Sequence, residues 1–273
     1  MERIAKEIEA HYLQGGESER LSNAWGELER LRTQAILARH LPSSPAVIVD
    51  DGGGAGAYAF PLAHQGYEVH LVDPVELHLK QARSYAEASG IKLASITKGD
   101  ARQLDFPTSS ADAVLLLGPL YHLIERLDRL KALREARRIL RPRGVLFAGS
   151  ISRFASLIDG LSRGFFQDAE FRKIVQADLT HGLHRNPTSH AEYFTTAHFH
   201  RPEELGEEVD EAGFGDIQIL AIEGPAWSTT LFRDAWNDTI QRQKLLEFLS
   251  LIEAEPSIRG ASAHVLAVAY RPD

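Results

Sequence analysis

Ala46-Val47-Ile48-Val49-Asp50-Asp51-Gly52-Gly53-Gly54-Ala55-Gly56 is the stretch that decides the fold. Four apolar, mostly β-branched residues follow the linker Ser43-Ser44-Pro45, the pattern of a strand buried on both faces. The strand ends at Asp50 and runs straight into glycines. A chain that turns so sharply from strand to helix needs positive φ, which glycine adopts without a Cβ clash. Four glycines in five positions exceed what a tight turn requires. They read as a place where a ligand touches bare backbone, beside the free N–H groups and partial positive charge of a helix start.

Working outward, strands and helices alternate. Glu68-Val69-His70-Leu71-Val72 predicts a second strand ending at Asp73. Lys92–Thr97 predicts a third closing on Gly99-Asp100, Ala111–Leu117 a fourth and Gly144–Gly149 a fifth. Helical patterns fill Gly56–Gly66, Val75–Ser89 and Arg126–Leu140. This is the signature of βαβ units and a parallel sheet covered on both faces. The alternation lapses over residues 152–200, which are rich in aromatics and histidines. It resumes with a helix at Pro202–Ala212, a strand at Asp216–Ile222, a helical insert over 227–255 and a last strand at His264–Tyr270. Before the sheet, Leu28, Leu31, Ala35 and Ala38 recur at helical spacing until Pro42. The expected organisation is a helical lid segment over 1–41 and one sheet domain over 42–273, with lid inserts near 152–200 and 225–260.

The 273 residues carry a net charge of −8, with no cysteine. The missing cysteines exclude thiolate nucleophiles, iron–sulfur clusters and disulfide frameworks. The acidic balance speaks against gripping nucleic acid, which needs clustered positive charge. Charged residues in Met1–Tyr12 do not suit a signal peptide, and no apolar run reaches about 18 residues, so no membrane partner and a cytoplasmic location are expected.

Two ligands suit the glycine loop. Gly52, Gly54 and Ala57 satisfy the dinucleotide pattern G-x-G-x-x-G/A. Yet Asp50 and Asp51 would repel a pyrophosphate and favour a cation. Asp50-x-Gly52-x-Gly54-x-Gly56 resembles the first motif of the class I S-adenosylmethionine-dependent methyltransferases, of the small-molecule type that includes the ubiquinone and menaquinone methyltransferases. The likeness continues in order through Asp73, Gly99-Asp100-Ala101, Asp112–Gly118 with Pro119–Leu123, and Leu140-Arg141-Pro142-Arg143-Gly144, where Arg143 departs from the usual L-x-P-G-G.

The resemblance implies a three-layer Rossmann-like α/β fold, with a seven-stranded, mostly parallel sheet whose last strand is antiparallel. It implies S-adenosylmethionine as cofactor and S-adenosylhomocysteine as product. It places Asp50, Gly52, Gly54 and Gly56 at the methionine end, Asp73 on the ribose, Pro74, Asp100 and Ala101 around the adenine, and Leu117 near the reactive methyl. The expected activity is in-line methyl transfer to an O or N nucleophile of a small molecule. An NAD(P)-dependent oxidoreductase and a non-catalytic binder of the same cofactor are the alternatives.

Tyr121 and His122, just past the fourth strand, are the candidate catalytic residues, His122 as a general base. His198-x-His200 offers two metal ligands but nothing supplies a third, so no metal site is expected. Phe165, Phe166, Phe171, Tyr193, Phe194 and Phe199 suit either a pocket wall or packing within a lid. Arg153 suits an anionic group or a solvated surface. Leu127, Leu130 and Leu133 mark the expected buried stripe of the arginine-rich helix, and Tyr12 suits either the cofactor's methionine end or helix packing.

Overall fold

In the computed structural model, residues 7, 8, 12, 23–230 and 232–273 are described; the expected helices over 1–41 therefore fall partly outside the described residues. Strand β1 (Val47–Asp51) lies in the sheet interior, with Ile48 packed toward one face and Val49 toward the other. It pairs in parallel with β2 (Glu68–Asp73) on one side and β4 (Ala111–Leu116) on the other. With β3 (Ser95–Lys98), β5 (Leu140–Ile151), β8 (Gly215–Ala221) and β9 (His264–Tyr270), the sheet order is β3-β2-β1-β4-β5-β9-β8. Strand β9 runs antiparallel to both neighbours, as expected of the last strand.

Helix α1 (Ala24–His40), α2 (Ala59–His64) and α3 (Glu76–Ser89) cover one face through Ile36, Leu37, Phe60, Leu62, Leu79 and Ala82. On the other face lie α4 (Pro119–His122), α5 (Arg126–Ile139) and, beyond the first insert, the helix at Pro202–Glu211, contributing Leu120, Leu133, Ile139, Leu205 and Val209. Residues 152–200 form helices at Ala155–Arg163 and Ala169–His181 and a two-stranded ribbon of β6 (Leu183–His184) and β7 (Ala197–His198). The second insert holds helices at Phe232–Asn237, Thr239–Ile252 and Pro256–Arg259.

Several boundaries move. The first sheet helix starts at Ala59 rather than Gly56, because the Gly56 N–H closes a turn on the Gly53 carbonyl. Strand β3 starts at Ser95 rather than Lys92, just after the Ala94 N–H reaches the Val69 carbonyl. In α1 the inward stripe is Leu28, Arg32, Thr33, Ile36 and Leu37, and the small Ala35 and Ala38 face solvent. Leu127 is 71% exposed, so the buried stripe of α5 keeps only Leu130 and Leu133 of the expected three. Arg143 sits at φ +63, the left-handed region where the family pattern has glycine.

Buried charges fasten the inserts to the sheet. Arg32 on α1 bonds Glu253 and the Ile222 carbonyl, tying the second insert to α1. Trp236 donates to Glu27 at 2.8 Å and Trp25 stacks on Phe232 at 3.9 Å. On the other face Arg129, 3% exposed, bonds both oxygens of Glu208 and the carbonyls of Leu123 and Ile124. His200 bonds the same Glu208 and also Ser150 on β5. Burial pulls the Glu208 carboxyl up, but bonds from His200 and Arg129 outweigh it and hold it at about 2.

Replacing one partner of such a network strands the other charge, a loss of about 3–5 kcal/mol. Arg129→Leu is therefore expected to lower the unfolding free energy by about that amount in urea titrations. A loss below about 1 kcal/mol, the level of a surface pair, would contradict the importance of this buried network.

Candidate active site

The carboxyl ends of β1, β2 and β4 open into a cavity of about 730 Å³. All eleven residues chosen from the sequence line it: Asp50, Gly52, Gly54, Gly56, Asp73, Pro74, Asp100, Ala101, Leu117, Tyr121 and His122. This is where an open α/β sheet binds its ligands.

The loop after β1 is held from below. The Gly52 and Gly53 N–H groups donate to the Val72 carbonyl at 2.8 and 3.2 Å, and Gly54 N–H donates to Asp73 Oδ2 at 2.9 Å. Asp73 Oδ1 accepts from Val75 N–H at 2.8 Å and lies 3.1 Å from His78 Nδ1. The side chain that ends β2 thereby fixes the loop that follows β1. Gly52 has φ +75, and a Cβ there would lie 2.5 Å from Pro119 Cδ, so packing alone demands glycine. Gly54 differs: at φ +57 a Cβ would meet no protein atom within 4 Å. Its bareness faces the cavity.

Three carboxylates crowd this end. Asp50 and Asp51 are 1% and 2% exposed, and Oδ2 of each is buried without a hydrogen-bond partner. Burial first, and then the charge of Asp73, pushes the Asp50 carboxyl up to about 7 despite a bond from Ala59 N–H. Burial and the charges of Asp50, Asp100 and Asp73 push Asp51 well above the carboxylate range.

Asp100 behaves differently. Burial pulls its carboxyl up, but hydrogen bonds from Arg102 outweigh it and hold the group below its usual range. Both its oxygens are engaged by Arg102, which also reaches Asp128 at 2.9 Å. The Gly99-Asp100-Ala101 segment thus carries a clamped carboxylate rather than an open one.

Tyr121 and His122 stand on α4 at the cavity wall, their rings 4.5 Å apart. Tyr12 lies between two histidines, with ring centroids 5.2 Å from His78 and 5.3 Å from His122, and its hydroxyl is 2.6 Å from His122 Nε2. Behind α4, Tyr121 packs on Ile151, Ala197 and Phe199.

Other candidates lie elsewhere. Among the described residues, none of 152–200 and none of 225–260 lines the cavity. Phe165, Phe171 and Tyr193 pack on one another and Phe166 is 59% exposed. His184 bonds Asp178 and the Tyr193 carbonyl. Burial first, then the neighbouring His200, pushes His198 down to about 3. Arg153 is buried against Glu204 and the Phe199 carbonyl rather than facing a ligand. Conversely, His78, Arg102, Glu29 and His264 line the cavity though the sequence did not single them out. Arg102 had a signal, since it directly follows Asp100-Ala101. Glu29 and His264 had none, being 235 positions apart.

Residues 48–144 match the family model described as a methyltransferase domain. The chain is 34% identical over 106 residues to the ubiquinone biosynthesis O-methyltransferase of Methylocella silvestris, covering 39% of this chain and 40% of that one. It is 30% identical over 127 residues to a ubiquinone/menaquinone biosynthesis C-methyltransferase of Caulobacter sp. (strain K31), covering 44% and 49%. The matched region therefore spans less than half the length of these curated relatives. Among solved structures, a Thermotoga maritima protein described as an S-adenosylmethionine-dependent methyltransferase and possible histamine N-methyltransferase superposes with TM-score 0.59 at 19% identity, over 97% of this chain and 99% of that one. That likeness concerns the fold alone. No helix among the described residues is long and apolar enough to cross a membrane. Residues 48–144 thus form a methyltransferase domain, and the order of motifs and the sheet with its reversed strand agree with the resemblance to the class I S-adenosylmethionine-dependent methyltransferases.

Proposed function

We propose that the protein methylates a small molecule at an O or N nucleophile, with S-adenosylmethionine held over the ends of β1–β4. The observation that carries this reading is the pair of partnerless buried oxygens on Asp50 and Asp51 beside the bare Gly54. Buried carboxylates without a counter-ion are costly, and a cationic ligand resolves the cost. Gly54 supplies the close approach, since a side chain there would enter the cavity and touch nothing else.

A dinucleotide fits the same place poorly. The Gly54 N–H, which a pyrophosphate would need, is already donated to Asp73, and the neighbouring charges are negative.

Asp73 would hold the ribose, with His78 and the Val75 amide fixing its orientation. Pro74 and Ala101 would flank the adenine, and Arg102 would keep the Asp100 loop in place. When bound, the cofactor supplies an electrophilic methyl on sulfur, and the chain supplies alignment and exclusion of water. Leu117, Tyr121 and His122 would wall the reacting end, and the Tyr12 hydroxyl would orient the His122 ring. Helix α1 would cover the acceptor, and the second insert, through Glu253 and Trp236, would brace that cover from behind.

Two outcomes follow. S-adenosylhomocysteine at about 100 times its Kd is expected to stabilise the protein by about 2.7 kcal/mol, read as a rise in Tm, whereas NAD(H) and NADP(H) leave it unchanged. Asp73→Ala is expected to weaken binding about 10- to 100-fold through the lost charged hydrogen bonds. The reverse ligand preference would sink the reading.

A third outcome concerns pH. The folded Asp50 carboxyl titrates near 7 and a free one near 4. Its contribution to stability without ligand is present below about 4 and lost as pH rises through 7. Asp50→Asn should therefore gain stability relative to wild type as pH rises from about 4 to about 7, and the difference should level off above that. A cation favours the ionised carboxylate, so wild-type affinity for S-adenosylmethionine should rise between pH 6 and 8, and the variant should lose that rise. Parallel pH profiles in calorimetry would refute it.

A further inference from the structure

From Val145 to Gly149 strand β5 is apolar, and Ser150 then brings a hydroxyl to the cavity wall. Ser150 is only 2% exposed, so its hydroxyl needs a partner inside the protein. His200 supplies it, with Nδ1 2.5 Å from Ser150 Oγ. The Ile151 carbonyl, 3.4 Å from the same oxygen, is at the limit of a hydrogen bond. His200 Nε2 lies 3.2 Å from Glu208 Oε2, and Arg129 holds that carboxylate from behind at 2.7 and 2.9 Å.

This chain of bonds runs in one direction. Burial pulls the Glu208 carboxyl up, but bonds from His200 and Arg129 hold it at about 2, so it is ionised and accepts from His200. That places the ring proton on Nε2. Burial pushes the His200 imidazole down against the pull of Glu208, so the ring carries that one proton. Its Nδ1 lone pair then accepts from Ser150. The serine gives its proton inward, and the lone pairs of Oγ remain for a ligand. Around the ring stand Glu204 and Glu208 from the helix at Pro202–Glu211, Arg129 from α5 and His198 from β7, the two imidazoles 4.5 Å apart. The backbone pins the ring, since His200 N–H donates to the Ile151 carbonyl at 2.9 Å and the His200 carbonyl accepts from Arg153 N–H at 2.8 Å.

Arg129 and Glu208 join α5 to the helix at Pro202–Glu211 with neither of them at the cavity. Ser150 and His200 extend their network to the wall, and they reach it beside Leu117. Leu116 pairs with Ala148, so the next positions set Leu117 against Gly149 and Gly118 against Ser150. A Cβ on Gly149 would lie 3.1 Å from the Leu117 carbonyl. Ser150 is therefore one strand spacing, about 5 Å, from the end of β4.

We propose that Ser150, His200 and Glu208 form a proton relay for the methyl acceptor, and that the acceptor is a neutral hydroxyl compound whose O–H donates to Ser150 Oγ. The proposal rests on the methyl-transfer reading above. An electron pair of the acceptor's oxygen forms the O–C bond to the donor's methyl as the C–S bond breaks, its electrons remaining on sulfur. The hydroxyl proton passes to Ser150 Oγ while the proton of Ser150 passes to His200 Nδ1. The positive charge lost from sulfur reappears on the imidazolium, beside the ionised Glu208. His200 then returns its proton to Ser150, and Ser150 releases one to water as the product leaves. A hydroxyl is the group such a relay serves, because its oxygen attacks well only as the proton departs. Ser150 meets it with a neutral acceptor, whereas a buried ammonium would need a counter-charge. Ser150 is the catalytic residue; His200 and Glu208 act through it as positioning residues.

The test follows turnover by the full chain, with saturating S-adenosylmethionine, on two catechols. Catechol keeps its proton at pH 7.5 and needs the relay, whereas 4-nitrocatechol is ionised there and does not. Phenethylamine is the control. Wild type is expected to methylate both catechols faster than the amine, with kcat on catechol changing less than about threefold between pH 7 and 9. Ser150→Ala should lower kcat on catechol about 100-fold, the scale of lost acid–base catalysis, with KM within about threefold. Its remaining rate should rise about tenfold per pH unit, as catechol ionises in solution. On 4-nitrocatechol the same variant should stay within about threefold of wild type, which also shows that it folds. His200→Gln should divide the two substrates in the same way, and decides the matter if Ser150→Ala does not fold. The proposal is overturned if neither catechol is methylated, if the amine is preferred, or if Ser150→Ala keeps the wild-type kcat on catechol. Equal losses on both catechols would mark a merely structural network and also overturn it. Failure of wild type to bind S-adenosylhomocysteine would instead remove the methyl-transfer reading itself.

Discussion

Asp73 is the residue on which the rest of the site depends. Its two oxygens accept from Gly54, in the loop after β1, and from Val75, at the start of the next helix, while His78 closes on it from α3. One carboxylate therefore sets the distance between two βα turns. Because it is buried and charged, it also raises the energy of ionising Asp50 beside it. A neutral residue at 73 would leave the Gly54 amide without its acceptor and relieve the crowding that makes the cavity receptive to a cation. The same group thus shapes the loop and tunes its neighbours.

The helical additions act at a distance from the chemistry. The second insert grips α1 through Arg32–Glu253, Trp236–Glu27 and the stacked Trp25–Phe232, and so fixes Glu29 above the sheet. The first insert backs α4, where Phe199 and Ala197 pack behind Tyr121. Neither insert lines the cavity among the described residues, yet each sets where a wall residue stands. Their aromatics are packing material, which explains why Phe165, Phe171 and Tyr193 form a cluster of their own.

The parts of this architecture that depend on neighbours in sequence were legible, and those that depend on distant pairing were not. Val47–Val49 followed by glycines located β1 and its loop, since strand burial and turn geometry are written in adjacent residues. The acids at 50, 73 and 100 could be placed because each ends a recognisable strand. Periodicity located the helix before Pro42 but not its buried face, since Arg32 goes inward there and a buried arginine needs the Glu253 partner 221 positions away. It failed likewise for Arg129, which reads as a surface arginine until Glu208 is folded against it. Of the histidines at 181–200, His184 is held by Asp178 and His200 by Ser150 and Glu208, which fixes these two within the fold.

The reversal of β9 explains why the corner at Glu29 and His264 escaped a sequence reading. In a parallel sheet, ligand-binding residues sit just past strand ends, and the cavity-lining residues after β1 to β4 follow that rule. An antiparallel strand enters the sheet where its parallel neighbours leave it. The first residue of β9 therefore meets the last of β5, as the pairing of His264 with Ile151 records. A histidine that opens a strand looks like a mere boundary in the sequence, and only the reversed direction brings it to the carboxyl edge. Glu223 arrives there for the complementary reason, since β8 runs parallel to β5 and ends at that same edge. A strand leaving and a strand entering thus deliver a carboxylate and an imidazole 2.5 Å apart, with no intervening motif to announce them.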